Sequence, residues 1–479
     1  MPWLGLVLLL LVGAGIVATG LPAAVVLVTA ASLGAAVGVA SGTMSLDVVG
    51  ALPGRLTNLF ENDLLQALPL YVTMGLLLDR LPVADALYRS SNALMRRSPS
   101  APLVSGMLLG ALLGPMNGSV GASVLGLSRV IAPKLDRESV PAATRDTVIA
   151  VASTLGVLVP PSLVLILLSD AMLSAHTHAV TQSGRSDRVV NTQDIFHAAL
   201  APAGIFLVLC LGLAWLIGRR MPRANAPRSL GGREAVLAAG SLAALVLLLG
   251  GVAVGYFFAV EAAAMGATAL LVAGIASGRL DRKAMHAVLR DAMAMTGALF
   301  TLLLAATTFT LVLRLLGTDA LVNDLVSDIP GGDVPATIAV LAVIGLCAFV
   351  LDAFEIIFVI VPVVIPPLLV RVADARWISV LVLLTLQSSF LLPPFGYALM
   401  MVRGAAKSPA PFGAFVRALA PFLAAQWLVL LLVLTTPALI HLGENAADIT
   451  RAPAARLSQQ EIDKRLNDMI PLPPMPDGN

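Results

Sequence analysis

The sequence has few charged residues. Only 12% of its 479 residues are charged, whereas 58% are apolar. Because a soluble domain needs a charged surface, this composition excludes an ordinary soluble protein and predicts an all-α polytopic protein of the lipid bilayer. The formal net charge of +2 is too small to indicate a nucleic-acid partner.

Patterns of catalysis and metal binding are also lacking. The two cysteines, Cys210 and Cys347, lie far apart in apolar runs, so they imply neither a disulfide framework nor a metal site. The five histidines show no paired spacing. The sequence contains no GxxxxGK[ST], HExxH or GxSxG pattern. We therefore predict no enzyme activity and no cofactor, and an ATP-driven permease would need a partner that carries the nucleotidase.

Apolar runs of bilayer-crossing length are what the sequence has instead. The first two cover residues 3–18 and 23–39, and the absence of a basic N-terminal region predicts a retained span rather than a signal peptide. Residues 83–97 mix charged and apolar positions, which predicts a helix that lies along the membrane surface and braces neighbouring spans.

Two apolar stretches of the first half are interrupted by helix breakers. Near residues 101–132, two arms too short to span are joined by turn-forming residues, which predicts a re-entrant helical hairpin. Near residues 143–174, Gly156 and the pair Pro160-Pro161 predict a discontinuous helix. Such a break exposes backbone dipoles to whatever binds there.

Polar segments set the expected topology. Residues 175–194 are predicted to form an extramembrane loop. The arginine-rich linker 219–233 is predicted to be cytoplasmic, and the turn at 256–261 periplasmic, by the positive-inside rule. The tail, residues 441–479, is predicted to be solvated.

The second membrane half, residues 234–440, repeats the pattern of the first, residues 1–218. A hairpin is predicted near 334–370 and a broken helix near 377–404. Pro366 minus Pro133, Pro393 minus Pro160 and Pro394 minus Pro161 all equal 233. The shared offset predicts two inverted repeats, and paired interruptions of this kind indicate a transport site.

Two carboxylates interrupt the apolar run LDAFEIIFVIVPVVIPP of the second hairpin. Acids inside a membrane usually face a cavity, a partner or an ion path, which favours a functional role for Asp352 at the hairpin tip. The alternative is that Asp352 caps a short helix. Glu355, one turn further along, either lines the cavity or braces the hairpin.

The motifs at these breaks resemble those of the large membrane subunit of the tripartite ATP-independent periplasmic (TRAP) transporters. The resemblance rests on VGASV, STLGVLVPPSLVLILLSD, VEAAAMGATA, LDAFEIIFVIVP and LQSSFLLPPFGYALMMVRG, and covers about residues 3–440. The last two motifs look closest to the branch labelled mannitol and chloroaromatic. Where many members have a serine-rich hairpin tip, this chain has Asn117 and Val120.

The resemblance implies a multi-pass bacterial inner-membrane transporter that imports organic acids with Na⁺ as the coupling ion. It implies an elevator-type ion transporter fold, a small TRAP membrane subunit and a periplasmic substrate-binding protein as partners. The implied sodium ligands lie at the breaks of both halves: Asn117, Gly118, Ser119, Ser153, Thr154 and Gly156, then Asp352, Ser388, Ser389, Pro393 and Gly396. Candidate substrate-binding residues are Ser123, Glu355 and Arg403.

Each candidate also has a structural alternative. The serines of the breaks can bond back to carbonyls of their own helices instead of holding an ion. Arg403 can pair with a substrate carboxylate or extend to the membrane interface. The alternative function is a permease of another class, either ATP-driven or an anion transporter that works without a binding protein.

Overall fold

A computed structural model describes residues 2–44, 50, 52–95, 98–117, 119–185, 188–221 and 232–441. Gly118, most of the basic linker and nearly all of the predicted tail lie outside these ranges. Within the ranges the chain is all-α and contains no β-strand.

The described residues form twenty α-helices, which differ in length and polarity. In chain order they are α1 (Pro2–Thr19), α2 (Ala23–Ala40), α3 (Leu52–Glu61), α4 (Asp63–Arg80), α5 (Val83–Leu94), α6 (Ala101–Leu113), α7 (Val120–Arg137), α8 (Ala142–Leu158), α9 (Leu163–Ser183), α10 (Thr192–Gly218), α11 (Gly232–Val254), α12 (Ala259–Ala276), α13 (Arg282–Leu315), α14 (Thr318–Ser327), α15 (Asp333–Cys347), α16 (Ala353–Glu355), α17 (Val361–Arg371), α18 (Ala375–Leu391), α19 (Tyr397–Ala405) and α20 (Phe412–Thr435).

Nine helical segments among the described residues are long and apolar enough to cross a bilayer. The outer helices leave large apolar side chains exposed, including Leu10 at 74% and Val236 at 73%. In contrast, 94% of the most apolar stretch of α8 and α9 is buried inside the protein. Since apolar side chains cover the outer surface, the molecule is a polytopic membrane protein with α8 and α9 at its centre.

The two halves share helix boundaries as well as prolines. Helices α8 and α18 each contain 17 residues, and the offset of 233 that relates the prolines also relates their first and last residues. Both are followed by a cis Pro-Pro bond, Pro160-Pro161 in one half and Pro393-Pro394 in the other. The same offset relates Val120 to Ala353, the first residues of the second arms of the two hairpins.

The two hairpins open toward opposite faces of the molecule. Gly218, next to the basic linker, lies so close to Ser100 that a Cβ on it would stand 2.5 Å from the Ser100 Cα. The first hairpin therefore opens on the side of that linker. At the second hairpin, Arg185, beyond the end of α9, donates to the Leu369 carbonyl over 2.7 Å. Because α9 is joined to the far end of the spanning helix α10, the second hairpin opens on the other side.

A buried ion-pair network ties the halves together near the start of α8. Arg145, 5% exposed, forms salt bridges with Asp136 at 2.7 Å and Asp146 at 2.8 Å. Its guanidinium also donates to the Ser408 carbonyl over 2.9 Å, and Asp146 accepts from the Ala410 N–H over 3.1 Å. The network fixes the segment after α19 against α7 and α8.

Two expectations about local structure have different outcomes. Residues 175–194 are not one loop, because α9 continues to Ser183 and α10 begins at Thr192. Thr177 and Thr181 donate to the carbonyls four residues earlier, so these polar side chains do not break the helix. Helix α5 makes an angle of 63° with α4 and packs against α6 and α11, which agrees with a bracing helix.

Candidate functional site

The first hairpin has a tight tip, and α7 begins directly after this tip. A 3₁₀ turn, Gly114–Met116, closes the first arm, and the Asn117 N–H donates to the Gly114 carbonyl over 3.3 Å. Ser119 is the N-cap of α7, and its hydroxyl accepts from the Ala122 N–H over 3.1 Å. Capping satisfies one of the free N–H groups of the helix start and fixes the serine oxygen at the tip.

The break between α8 and α9 is held by Ser162, which was not among the predicted site residues. Ser162 is the N-cap of α9 and is 3% exposed. Its hydroxyl donates to the Val157 carbonyl over 2.7 Å and accepts from the Leu165 N–H over 3.0 Å. A serine between the proline pair and the run LVLILL is a helix-start signal, and it could have been identified from the sequence.

Four helix ends meet around a small cavity at these two breaks. The cavity has a volume of about 10 Å³, close to the space that one water molecule needs. The first arm of the hairpin and α8 end here, whereas α7 and α9 begin here. Helix C-termini present carbonyl oxygens that suit a cation, and helix N-termini present N–H groups that suit an anion. The lining residues are Gly114, Pro115, Ser119, Val120, Ser123, Ser153, Gly156, Val157, Ser162, Leu163 and Val164.

Glycines let the hairpin approach α8 at backbone distance. A Cβ on Gly114 would stand 2.6 Å from the Gly156 Cα, and a Cβ on Gly156 would lie closer than 3.0 Å to the Gly114 backbone. On the other side of the tip, a Cβ on Gly75 of α4 would stand 2.7 Å from the Met116 carbonyl oxygen. Side chains at these positions would push the tip away from the cavity.

At the second hairpin tip, both predicted carboxylates take part in a helix start. Asp352 is the N-cap of α16, and Glu355 accepts from the Asp352 N–H over 3.1 Å through Oε2. Glu355 therefore braces the hairpin in the arrangement of a capping box. A π-helical turn, Ile356–Ile360, follows before α17. Such turns occur often at functional sites.

The second broken helix mirrors the first. Gly396 ends the break, and a Cβ on it would stand 2.7 Å from the Phe390 carbonyl oxygen. Its N–H donates to the Leu392 carbonyl over 2.9 Å. The prolines of the pair, including the candidate Pro393, lie between Leu392 and this glycine. The glycine allows the chain to turn back against the end of α18.

The hydroxyls of both breaks donate to carbonyls of their own helices. In the first half Ser153 donates to Ala150 over 2.7 Å and Thr154 to Val151 over 2.9 Å. In the second half Ser388 donates to Leu384 over 2.8 Å and Ser389 to Leu386 over 2.6 Å. A hydroxyl that donates in this way keeps its oxygen lone pairs, so back-bonding and ion binding are compatible.

The broken helix of each half packs against the hairpin of the other. Helix α19 lies on α7 and α8, and a Cβ on Gly121 would stand 2.7 Å from the Tyr397 hydroxyl. Helix α9 packs against α17 in the reciprocal contact. Tyr397 thus brings a phenol to the start of α7, a position that the sequence did not indicate.

Two further side chains, Arg403 and Gln387, differ in how well their polar groups are satisfied. Arg403 donates to the Ala410 carbonyl over 3.0 Å and lies over the Phe412 ring at 5.4 Å, so in this structure it holds the segment after α19. Gln387 on α18 is 0% exposed, and within the described part of the chain neither its amide oxygen nor its amide nitrogen has a hydrogen-bond partner.

The hairpins and broken helices at the centre define a class: helical membrane proteins with two sets of interrupted helices. Two solved structures share the fold. They are the YdaH transporter of Alcanivorax borkumensis, with a TM-score of 0.57, 16% identity and coverage of 81% of this chain and 87% of that one, and MtrF of Neisseria gonorrhoeae, with a TM-score of 0.51, 11% identity and coverage of 82% and 84%. MtrF is a member of a class of antimetabolite efflux pumps.

Sequence comparison gives the family. The profile of the tripartite ATP-independent periplasmic transporter, DctM component, matches residues 4–439, so the chain belongs to this family of large permease subunits. The C4-dicarboxylate TRAP transporter large permease DctM of Pseudomonas aeruginosa is 24% identical over 395 residues, 81% of this chain and 87% of the relative. The DctM protein of Rhodobacter capsulatus is 27% identical over 258 residues, 52% of this chain and 56% of the relative.

Proposed function

We propose that the chain is the large permease subunit of a sodium-coupled transporter that imports small organic acids across the bacterial inner membrane. Family membership establishes a transporter permease rather than an enzyme. The single observation that carries the finer proposal is the cavity where four helix ends meet. Carbonyl and hydroxyl oxygens suit a hard cation, and two helix N-termini suit a carboxylate.

The sodium ligands that we propose are the side-chain and carbonyl oxygens of the breaks. In the first half, Ser119 and Ser153 bring hydroxyl oxygens to the cavity, and Gly114 and Gly156 bring backbone. In the second half, Asp352 and the loop from Ser388 to Gly396 occupy the positions of the matching repeat. The cavity has room for one small ion, since its volume of about 10 Å³ is close to that of the space one water molecule needs.

We also propose partners and a movement, by analogy with other members of the family. The relatives are named as C4-dicarboxylate TRAP permeases, and we propose a carboxylate substrate for this chain. A small TRAP membrane subunit would complete the membrane part, and a periplasmic binding protein would deliver the acid. Two hairpins that open toward opposite faces, packed around one buried centre, suit an elevator movement of that centre.

The test is uptake of radiolabelled succinate into proteoliposomes that hold this chain with its small subunit. We expect uptake that needs an inward sodium gradient and a loaded binding protein. Equal uptake in potassium buffer would reject sodium coupling. Uptake without the binding protein would favour the alternative of a binding-protein-independent anion transporter, and uptake that needs ATP would favour an ATP-driven permease.

Replacing Asp352 with asparagine should raise the sodium concentration for half-maximal uptake. Asparagine caps a helix about as well as aspartate, so the hairpin start remains while the charge is lost. We expect an increase of about tenfold, on the order of 1.4 kcal/mol for one weakened charge–ion contact. The measurement is initial uptake rate against external sodium.

Asp374→Asn is the matched control. Asp374 is also an N-cap, accepts from the Trp377 N–H over 3.0 Å, and pairs with His441 at the outer end of α18. The same substitution there should leave the sodium dependence unchanged. If Asp352→Asn behaves like Asp374→Asn, the carboxylate serves only as a helix cap.

A further inference from the structure

A second, larger cavity lies away from the hairpin breaks, between the last turns of α9 and the end of α13. Its volume is about 580 Å³, within the range typical of small-molecule pockets. The lining residues are Ser174, Thr177, His178, Thr181, Gln182 and Arg314. We call this cavity the α9–α13 crevice.

The polar side of the crevice is one continuous helix face. Ser174, Thr177, His178, Thr181 and Gln182 follow the three- and four-residue spacing that places side chains on the same side of a helix. The two threonine hydroxyls donate to their own helix, so their oxygens remain free to accept. A polar stripe on a helix of such an apolar protein indicates contact with water or a polar ligand rather than lipid.

The opposite side supplies a guanidinium with unused donors. Arg314 approaches Asp319 Oδ2 through Nε at 3.4 Å and is about one-third exposed. No hydrogen bond from its two terminal nitrogens is present within the described residues. The end of a guanidinium fork matches a carboxylate with two parallel bonds. His178, whose Nδ1 is buried without a partner among the described residues, lies near the same Asp319.

Topology places the crevice on the periplasmic side. Helix α13 begins beside the basic segment GRLDRK and runs for 34 residues, so Arg314 in its last turn lies at the opposite face. The C-terminal end of α9 is joined to the start of α10, whose other end meets the arginine-rich linker. Both walls of the crevice are therefore at the face from which an imported acid arrives.

We propose that the α9–α13 crevice binds a small organic acid before it reaches the hairpins, with Arg314 holding a carboxylate and the α9 hydroxyls and Gln182 amide contacting its other polar groups. The crevice is an access site, separate from the cavity at the breaks. This proposal rests on the proposed import of organic acids for its ligand class.

Cysteine protection tests the site directly. In a Cys210→Ala, Cys347→Ala background, Thr181→Cys is labelled with a membrane-impermeant maleimide from outside, with succinate as the probe. We expect labelling from outside, and we expect succinate to slow it. Tyr256→Cys in the turn before α12, 81% exposed, is the control whose labelling succinate should not change.

Arg314→Gln in the Thr181→Cys background identifies the anion partner. We expect the succinate concentration for half-protection to rise about tenfold or more. Arg314→Lys keeps the positive charge without the guanidinium fork. Its succinate concentration for half-protection should therefore lie between those of the Arg314 protein and Arg314→Gln. Protection unchanged by Arg314→Gln would overturn the proposal, as would labelling that succinate does not slow. A glutamine variant that fails to reach the membrane is replaced in the comparison by the lysine variant.

A second background separates this site from the hairpin cavity. Gly156→Ala alters the break between α8 and α9 but not the crevice, so succinate should still protect Thr181→Cys. If Gly156→Ala removes the protection and Arg314→Gln does not, succinate binds only at the hairpins. The crevice proposal then fails while organic-acid transport stands. If succinate protects Thr181→Cys in a protein that shows no sodium-dependent uptake, the crevice proposal stands while sodium-coupled transport fails.

Discussion

Gly156→Ala should abolish transport while the protein still inserts in the membrane. The added Cβ would lie closer than 3.0 Å to the backbone of Gly114, where no flexible side chain can move aside. The hairpin tip must then retreat from α8, which opens the cavity and separates its oxygens. Overpacking of this kind costs about 1–3 kcal/mol, and small displacements of a binding site are costly for its function.

The measurement is proteoliposome uptake together with the thermal unfolding midpoint. Gly212→Ala is the matched control, because a Cβ at that position on α10 would meet nothing within 4 Å. Alanine there favours the helix by about 1 kcal/mol, so we expect normal uptake. Wild-type uptake by Gly156→Ala would show that the close approach of hairpin and broken helix is dispensable.

The positions of the breaks could be predicted from the sequence because they depend on local chemistry. Proline removes a backbone donor wherever it stands, so Pro160-Pro161 and Pro393-Pro394 end α8 and α18 as expected. The repeat followed from the same residues, since their offset is preserved in the helix boundaries. Family membership, too, was predicted from the motifs at the breaks and is confirmed. The branch within the family stays a prediction.

Polarity was the misleading signal near α9. Residues 175–183 contain serine, threonine and histidine, which in an apolar protein indicated a loop, yet they form the last turns of a helix. The hydroxyls of Thr177 and Thr181 bond within the helix, and the exposed face of these turns borders the α9–α13 crevice. A polar stripe of period 3.6 distinguishes such a helix from a loop, and that period was present in the sequence.

Contacts between the halves could not be predicted from the sequence. Tyr397 lies against Gly121, and Arg145 bonds to Ser408 across 263 positions. Neither pair has a spacing rule, because it depends on how one repeat packs into the other. Arg145 is also an unexpected residue to bury, since a guanidinium needs partners that appear only after folding. The two carboxylates and the carbonyl around it supply them.

Gln387→Leu should make the protein more stable and less active. Gln387 is fully buried, and neither end of its amide has a partner among the described residues. An unsatisfied buried polar group costs about 1–3 kcal/mol. Leucine of similar size removes this cost, so we expect a higher thermal midpoint. Gln387 lies on the same helix as Ser388 and Ser389. The presence of its unsatisfied amide there is explained if the substrate or the coupling ion supplies the missing polar partner.

For that reason we expect uptake by Gln387→Leu to fall at least about tenfold, as when a charge-assisted hydrogen bond is lost. Thr385→Val on the same helix is the control, because the Thr385 hydroxyl already donates to the Leu381 carbonyl over 2.8 Å. It should alter uptake little. A stabilised Gln387→Leu protein with normal uptake would show that the amide has no part in transport. A destabilised Gln387→Leu protein would show that the Gln387 amide has hydrogen-bond partners within the fold. A protein that is more stable but less active would show that the amide serves to bind a ligand.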